Sequence, residues 1–184
     1  MLKVLVDGCE PTKGSKYSAC IDLRASEDVV ISAGETKLVG LGVCIDFEEF
    51  WKRQCNINLF HKSKYQQDGC KESFLQSHQL NLHPRSSLRA KGLIANTGII
   101  DLDYKDEIKI IIHNPIKKGF IFAILDKFSI ANSLYGVAGA ETQKHYIKKG
   151  DRIAQIQLVE HKSYLFGVES DDKRNGGFGS TGNE

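Results

Sequence analysis

Pro84-Arg85-Ser86-Ser87-Leu88-Arg89-Ala90-Lys91-Gly92, running on as Leu93-Ile94-Ala95-Asn96-Thr97-Gly98-Ile99-Ile100-Asp101-Leu102-Asp103-Tyr104, is the stretch on which the reading of this chain turns. A basic, hydroxyl-rich turn leads into an apolar strand. The strand turns at Asn96-Thr97-Gly98 and returns through Ile99-Ile100 to a carboxylate at Asp101, a pattern that predicts a hairpin. The apolar run at 108–112 predicts a buried strand behind it. Arg85, Ser86 and Ser87 bring a planar cation and two hydroxyls, the groups that recognise phosphate oxygens. A hairpin backbone can offer hydrogen bonds to a flat ring. Asp101 stands just beyond, where a general base is wanted. The same residues also suit a plain surface turn, a hairpin and a solvated Asp, and spacing alone does not separate the two readings.

Working outward, short strands are predicted at 2–6, 18–25, 29–31 and 36–46, separated by Gly, Asp and Ser turns. Residues 80–82 resume the sheet and deliver the chain to Pro84. In the alternating run Ser18-Ala19-Cys20-Ile21-Asp22-Leu23-Arg24-Ala25, Asp22 reads as a solvated carboxylate on a polar face, or as one holding an arginine or a hydrated cation. A short helix around Phe50 and Trp51 is expected at 48–56. The Gln/Lys-rich stretch 62–77 shows no clean period and reads as an inserted loop. Downstream, 116–144 reads as a second irregular segment, a hairpin plus a short helix. Residues 145–147 return to strand, Lys149-Gly150-Asp151 turns, and 152–160 is a strand with Gln155 and Gln157 on one face. A last apolar piece follows at 164–168. The sum is an all-β domain.

The 184 residues suit one domain with a real core. Apolar residues make up 41% and charged residues 26%, ordinary for a globular protein. A net charge of +2 is too small to argue for nucleic acid or a membrane surface. No apolar run approaches the roughly 18 residues of a membrane span, and Asp7 interrupts the N-terminal run too early for a signal peptide. Five cysteines, an odd number, fit a reducing compartment better than a disulfide framework. Cys9, Cys20 and Cys44 are scattered. Cys55, His61, Cys70 and His78 lie closer together, but their spacings match no common zinc finger or ribbon, so loop thiols are the favoured reading. The expectation is a cytoplasmic protein, with a nuclear location also open.

In the tail, 169–184, charge gives way to glycine, one aromatic and two hydroxyls. Such a segment lacks the apolar surface to order itself, and a frayed terminus is the plain reading. Yet Arg174, backbone N–H groups freed by glycine, Ser180 and Thr181 are phosphate-binding parts, and Phe178 can stack on a flat ring. The tail reads as a lid over an anionic, ring-bearing ligand.

With Pro-Arg-Ser-Ser at 84–87, Gly-Ile-Ile-Asp-Leu-Asp-Tyr at 98–104, Lys-Gly-Asp-Arg-Ile-Ala-Gln at 149–155, Gly-Gly-Phe-Gly-Ser-Thr-Gly at 176–182 and the run at 18–25, the chain resembles the trimeric dUTPases. The resemblance implies an all-β, distorted jelly-roll or β-clip fold over 1–168, with inserted segments near 50–79 and 115–145, and a lid at 169–184. It implies a homotrimer that uses Mg2+ to hydrolyse dUTP to dUMP and pyrophosphate, keeping uracil out of DNA and supplying dUMP for thymidylate synthesis. From the chain's charge and hydropathy, no nucleic-acid or membrane partner is expected. By matching position, Asp101 is the general base. Arg85, Ser86 and Ser87 hold phosphates, with Gln155 beside them. Asn96 and the backbone of Gly98, Ile99 and Ile100 read the uracil edge, and Tyr104 packs under the deoxyribose. Asp22 supports the metal through waters. Arg174, Phe178, Gly179, Ser180 and Thr181 cap base and phosphates. The chain departs from the family pattern at Cys20, where glycine is usual, and at Lys105-Asp106, where Arg-Gly is frequent. The step from Asn96 to Asp101 is one residue short, and either Lys173 or Arg174 matches the tail arginine. A dCTP deaminase shares the fold but needs a catalytic Glu where Ile111 stands. A dUTPase-like interaction scaffold is the remaining alternative.

Overall fold

Alternating apolar and polar residues form strands that bury one face and wet the other, and most of the chain follows that rule. The computed structural model describes residues 1–58, 64–115 and 144–168. In order come β1 (Leu2–Val4), β2 (Thr12–Lys13), β3 (Ile21–Arg24), β4 (Val29–Ile31), β5 (Thr36–Gly40), β6 (Val43–Ile45), α1 (Phe47–Asn58), α2 (Lys64–Ser77), β7 (His78–Pro84), α3 (Ser86–Ala90), β8 (Ile94–Ala95), β9 (Gly98–Asp101), β10 (Lys109–His113), β11 (His145–Ile147) and β12 (Arg152–Glu160), with a one-turn 3-10 helix at Ser163–Phe166. Strands β2-β3-β12-β7-β9 form one sheet and β5-β10-β8 a second, with two-stranded pairs β1-β6 and β11-β4 beside them. Every pairing is antiparallel.

The buried faces meet in one hydrophobic cluster. Leu23, Leu80, Leu82, Ala154 and Ile156 come from the larger sheet, and Val39, Ala95, Ile110 and Ile112 from the smaller. Asn114, buried at the end of β10, ties the layers' margins together. Its Nδ2 donates to the Ile31 carbonyl at 2.9 Å, and its own carbonyl accepts from Gly34 N–H at 2.7 Å. Helices α1 and α2 pack through Phe47, Phe50, Trp51 and Phe74, and the His78 ring stacks on Phe74 with centroids 4.0 Å apart.

Four sequence expectations need correction. The hairpin at Asn96 is a crossover: β8 pairs with β10 and β9 with β7, so Asn96-Thr97 carries the chain between sheets. Each short strand joins a longer partner rather than its neighbour in sequence. The stretch read as a loop at 62–77 contains helix α2, whose polar composition masks its period. The strand at 36–46 breaks into β5 and β6 at Gly42, whose φ of +64° suits glycine. The basic turn after Pro84 opens the helical turn α3. The segment 116–143 and the tail from 169, with Lys173, Arg174, Phe178, Gly179, Ser180 and Thr181, lie outside the described residues.

Candidate active site

Strand β12 pairs with β3 on one side and β7 on the other, so Gln155 stands opposite both Asp22 and His83. Directly opposed residues of antiparallel strands share a face. Gln155 Nε2 donates to Asp22 Oδ1 at 3.3 Å, and Arg152 Nη1 donates to Asp22 Oδ2 at 3.1 Å. Arg85, just past β7, brings its Nε to 3.4 Å from Oδ1. Its backbone N–H donates to the Ile153 carbonyl at 2.9 Å, which fixes where the side chain starts. Asp22 is only 4% exposed. A carboxylate this buried needs paired charge and hydrogen bonds, and both its oxygens have them. It is therefore not the solvated carboxylate of the plain reading. Its partners are the arginines that the alternative reading allowed. Ser86 and Ser87 open α3 beside Arg85, both exposed.

A bulge puts Arg152 in this cluster. Strict alternation back from Gln155 would turn Arg152 toward the core. Instead Arg152 pairs with Arg24 and Ala154 with Leu23, so one extra residue, Ile153, is accommodated between them. Ile153 and Ala154 are both buried, and Arg152 emerges on the side of Asp22. Sequence reading did not single out Arg152. The available signal was the adjacent apolar pair Ile153-Ala154, which breaks the alternation of the strand.

Asp101 ends β9, exposed, in register with Gln79. Gln79, Asn81 and His83 alternate along one face of β7, so Asp101 and the Asp22 cluster look out from the same side of one sheet. They stand at opposite ends of β7. Gln79 to Arg85 is six residues, roughly 20 Å of extended chain. Among the described residues β9 pairs only with β7 and forms the sheet's edge. Alternate backbone N–H and C=O groups of Gly98, Ile99 and Ile100 on the far side of that edge suit a flat hydrogen-bonding ring. Asn96 is exposed just before it, its N–H donating to the Ile111 carbonyl at 3.2 Å. Tyr104 closes a turn onto the Asp101 carbonyl at 3.1 Å. It is largely buried, with its hydroxyl donating to the Glu107 carbonyl at 3.4 Å.

The fit of a divalent cation follows from the donor set. Among the described residues no three His, Cys, Asp or Glu side chains converge, and both Asp22 oxygens are engaged. Thr12, opposite Asp22, carries a buried hydroxyl with no hydrogen-bond partner among the described residues. These groups do not make a protein cage. They would suit a hydrated magnesium that arrives held chiefly by the phosphates of a ligand, with Asp22 and Thr12 beside it.

Comparison with known proteins places the fold. A family model described as dUTPase matches residues 72–131. A deoxyuridine 5'-triphosphate nucleotidohydrolase of Candida glabrata is 30% identical over 181 residues, covering 95% of this chain and 90% of the relative. The chain belongs to the dUTPase family. A namesake from Nautilia profundicola, also 30% identical, covers 94% of this chain and 89% of its own length. Among solved structures, a Staphylococcus bacteriophage 80alpha dUTPase mutant with dUpNHpp superposes with a TM-score of 0.58 at 19% identity, covering 100% of this chain and 98% of that one. A dUTPase of phage phi11, described with a structural Mg(II) ion, gives 0.56 at 18% identity over 98% of each chain. The dUTPase fold is thus the jelly-roll-like β architecture expected from the motifs.

Proposed function

We propose that this dUTPase-family chain hydrolyses dUTP to dUMP and pyrophosphate, at sites assembled between copies in a homotrimer. One observation carries the reading: a guanidinium–carboxamide cluster and a candidate base share a sheet face but stand roughly 20 Å apart. A base must come within about 2.6–3.2 Å of the water it activates, at a phosphate the cluster also grips. One chain cannot do both at one nucleotide; two copies can.

Arg85, Ser86, Ser87 and Gln155 bind the phosphate chain, and Asp22 holds Arg85 and Gln155 in place. Asp101 of a neighbouring copy orients a water and takes its proton as the α–β phosphoanhydride bond breaks and pyrophosphate leaves. Such a base contributes roughly 100- to 10,000-fold. The open edge of β9, with Asn96, reads the uracil. A backbone N–H facing its acceptor is left unpaired by cytosine, and such sites discriminate by as much as about 10,000-fold. Tyr104 lies under the deoxyribose. Arg174, Phe178, Gly179, Ser180 and Thr181 close over base and phosphates. Magnesium bound with the triphosphate neutralises its charge and polarises the phosphorus.

The setting we propose is the cytoplasm. Supporting this, Cys9, Cys20 and Cys44 are free thiols; no described helix is long and apolar enough to cross a membrane. Pyrophosphate release with dUTP, dCTP, dTTP and UTP side by side tests the whole reading. Only dUTP should be turned over efficiently; ammonia release from dCTP, or no release with any of them, would overturn it.

A further inference from the structure

We propose that His83 is an additional phosphate-binding residue of this site. The proposal rests on the triphosphate reading above, and no motif singled His83 out. Its position follows from register: His83 is directly opposite Gln155, which is itself opposite Asp22. All three side chains therefore leave the same face of the sheet, with the first two roughly 5 Å apart at Cβ. Arg85 lies two residues on and reaches Asp22 from that same end of β7.

The imidazole's partners decide what it is for. His78 bonds Ser77 and Phe74, His113 bonds Thr36, and His161 bonds Ser163. The half-buried ring of His83 makes no hydrogen bond or ion pair with any described residue. The charged groups facing this end of the sheet are Asp22 and Arg24 from β3, Arg152 from β12 and Arg85, just past β7; Arg24 Nη1 donates to the Gly150 carbonyl at 2.8 Å. Gln155 and Asn81 are the nearest polar neighbours of His83 by register and alternation. Asp22 is already engaged by Arg152 and Arg85. The remaining field is cationic, which fits a polyanion. An imidazole offers a phosphate oxygen one N–H when neutral, and two with a positive charge when protonated.

The test uses the full chain with inorganic pyrophosphate as probe, titrated calorimetrically into the unmodified protein, His83→Ala and His83→Gln. Thermal unfolding first establishes that each folds. The unmodified protein should bind pyrophosphate about 3- to 10-fold more tightly than His83→Ala, and His83→Gln, which keeps an N–H donor, should recover part of the loss. Equal affinities in all three, or a loss in His83→Gln as large as in His83→Ala, would overturn the assignment. The dUTP assay tests the underlying reading separately, so a chain that binds pyrophosphate through His83 yet spares dUTP would refute the substrate and keep the histidine.

Discussion

Asp22 is buried with both oxygens engaged, so its removal leaves two guanidinium groups without the charge that holds them. Asp22→Ala should destabilise the fold by about 1–3 kcal/mol, less than the loss for a wholly buried pair because Arg152 is 45% exposed. Urea denaturation at neutral pH measures this. Asp101 is exposed, and the role proposed for it is chemical. Asp101→Asn should still bind dUTP and turn it over at least about 100-fold more slowly. Near-normal single-turnover rates would remove Asp101 from the base role. The residue types of the site were legible in the sequence, because Arg, Ser, Asp and Gln carry their chemistry with them. Their surroundings were not: alternation tells which side of a strand Asp22 leaves, but not that Arg152 arrives there from β12 and Arg85 from just past β7.

Strands were the most readable elements: the apolar run of β10 stops just before Pro115, and β11 stops short of the Gly150-Asp151 turn. Pairing was less readable. The β8–β9 crossover looks like a hairpin because a tight turn and a change of sheet use the same residues. Glycine marks one junction sharply. A Cβ on Gly42 would lie 2.6 Å from Cys9 Cβ and 2.7 Å from its Sγ, at a positive φ as well. Gly42→Ala should therefore cost roughly 2–5 kcal/mol, strain and overpacking together, seen as a lowered urea midpoint. The turn between β4 and β5 carries a pH signature. The Ser32 N–H, at 2.8 Å from Glu35 Oε2, and then Lys37 hold the Glu35 carboxyl below its ordinary value of 4.5. A carboxyl lowered in the fold stabilises above its unfolded value and loses that contribution as pH falls through the native one. The stability gap between the protein and Glu35→Gln should hold from about pH 7 to 5 and close below about 4.5. A gap that persists into stronger acid would contradict the assignment.

At the scale of the molecule, dividing one site between copies makes a prediction about mixtures. Arg85→Ala and Asp101→Asn should each be nearly inactive alone. Unfolded together in equal amounts and refolded, they should regain about a quarter of normal activity, because random assembly pairs one intact cluster with one intact base that often. No recovery would place both halves at one chain's own site. The roughly 20 Å between Gln79's end of β7 and Arg85's has a further reach. If the site is shared as proposed, a lone copy is inert as a catalyst until it meets its siblings. Diluted far enough to part the copies, a preparation would then fall silent, and in a cell the dose of the gene would set how sharply the activity switches on.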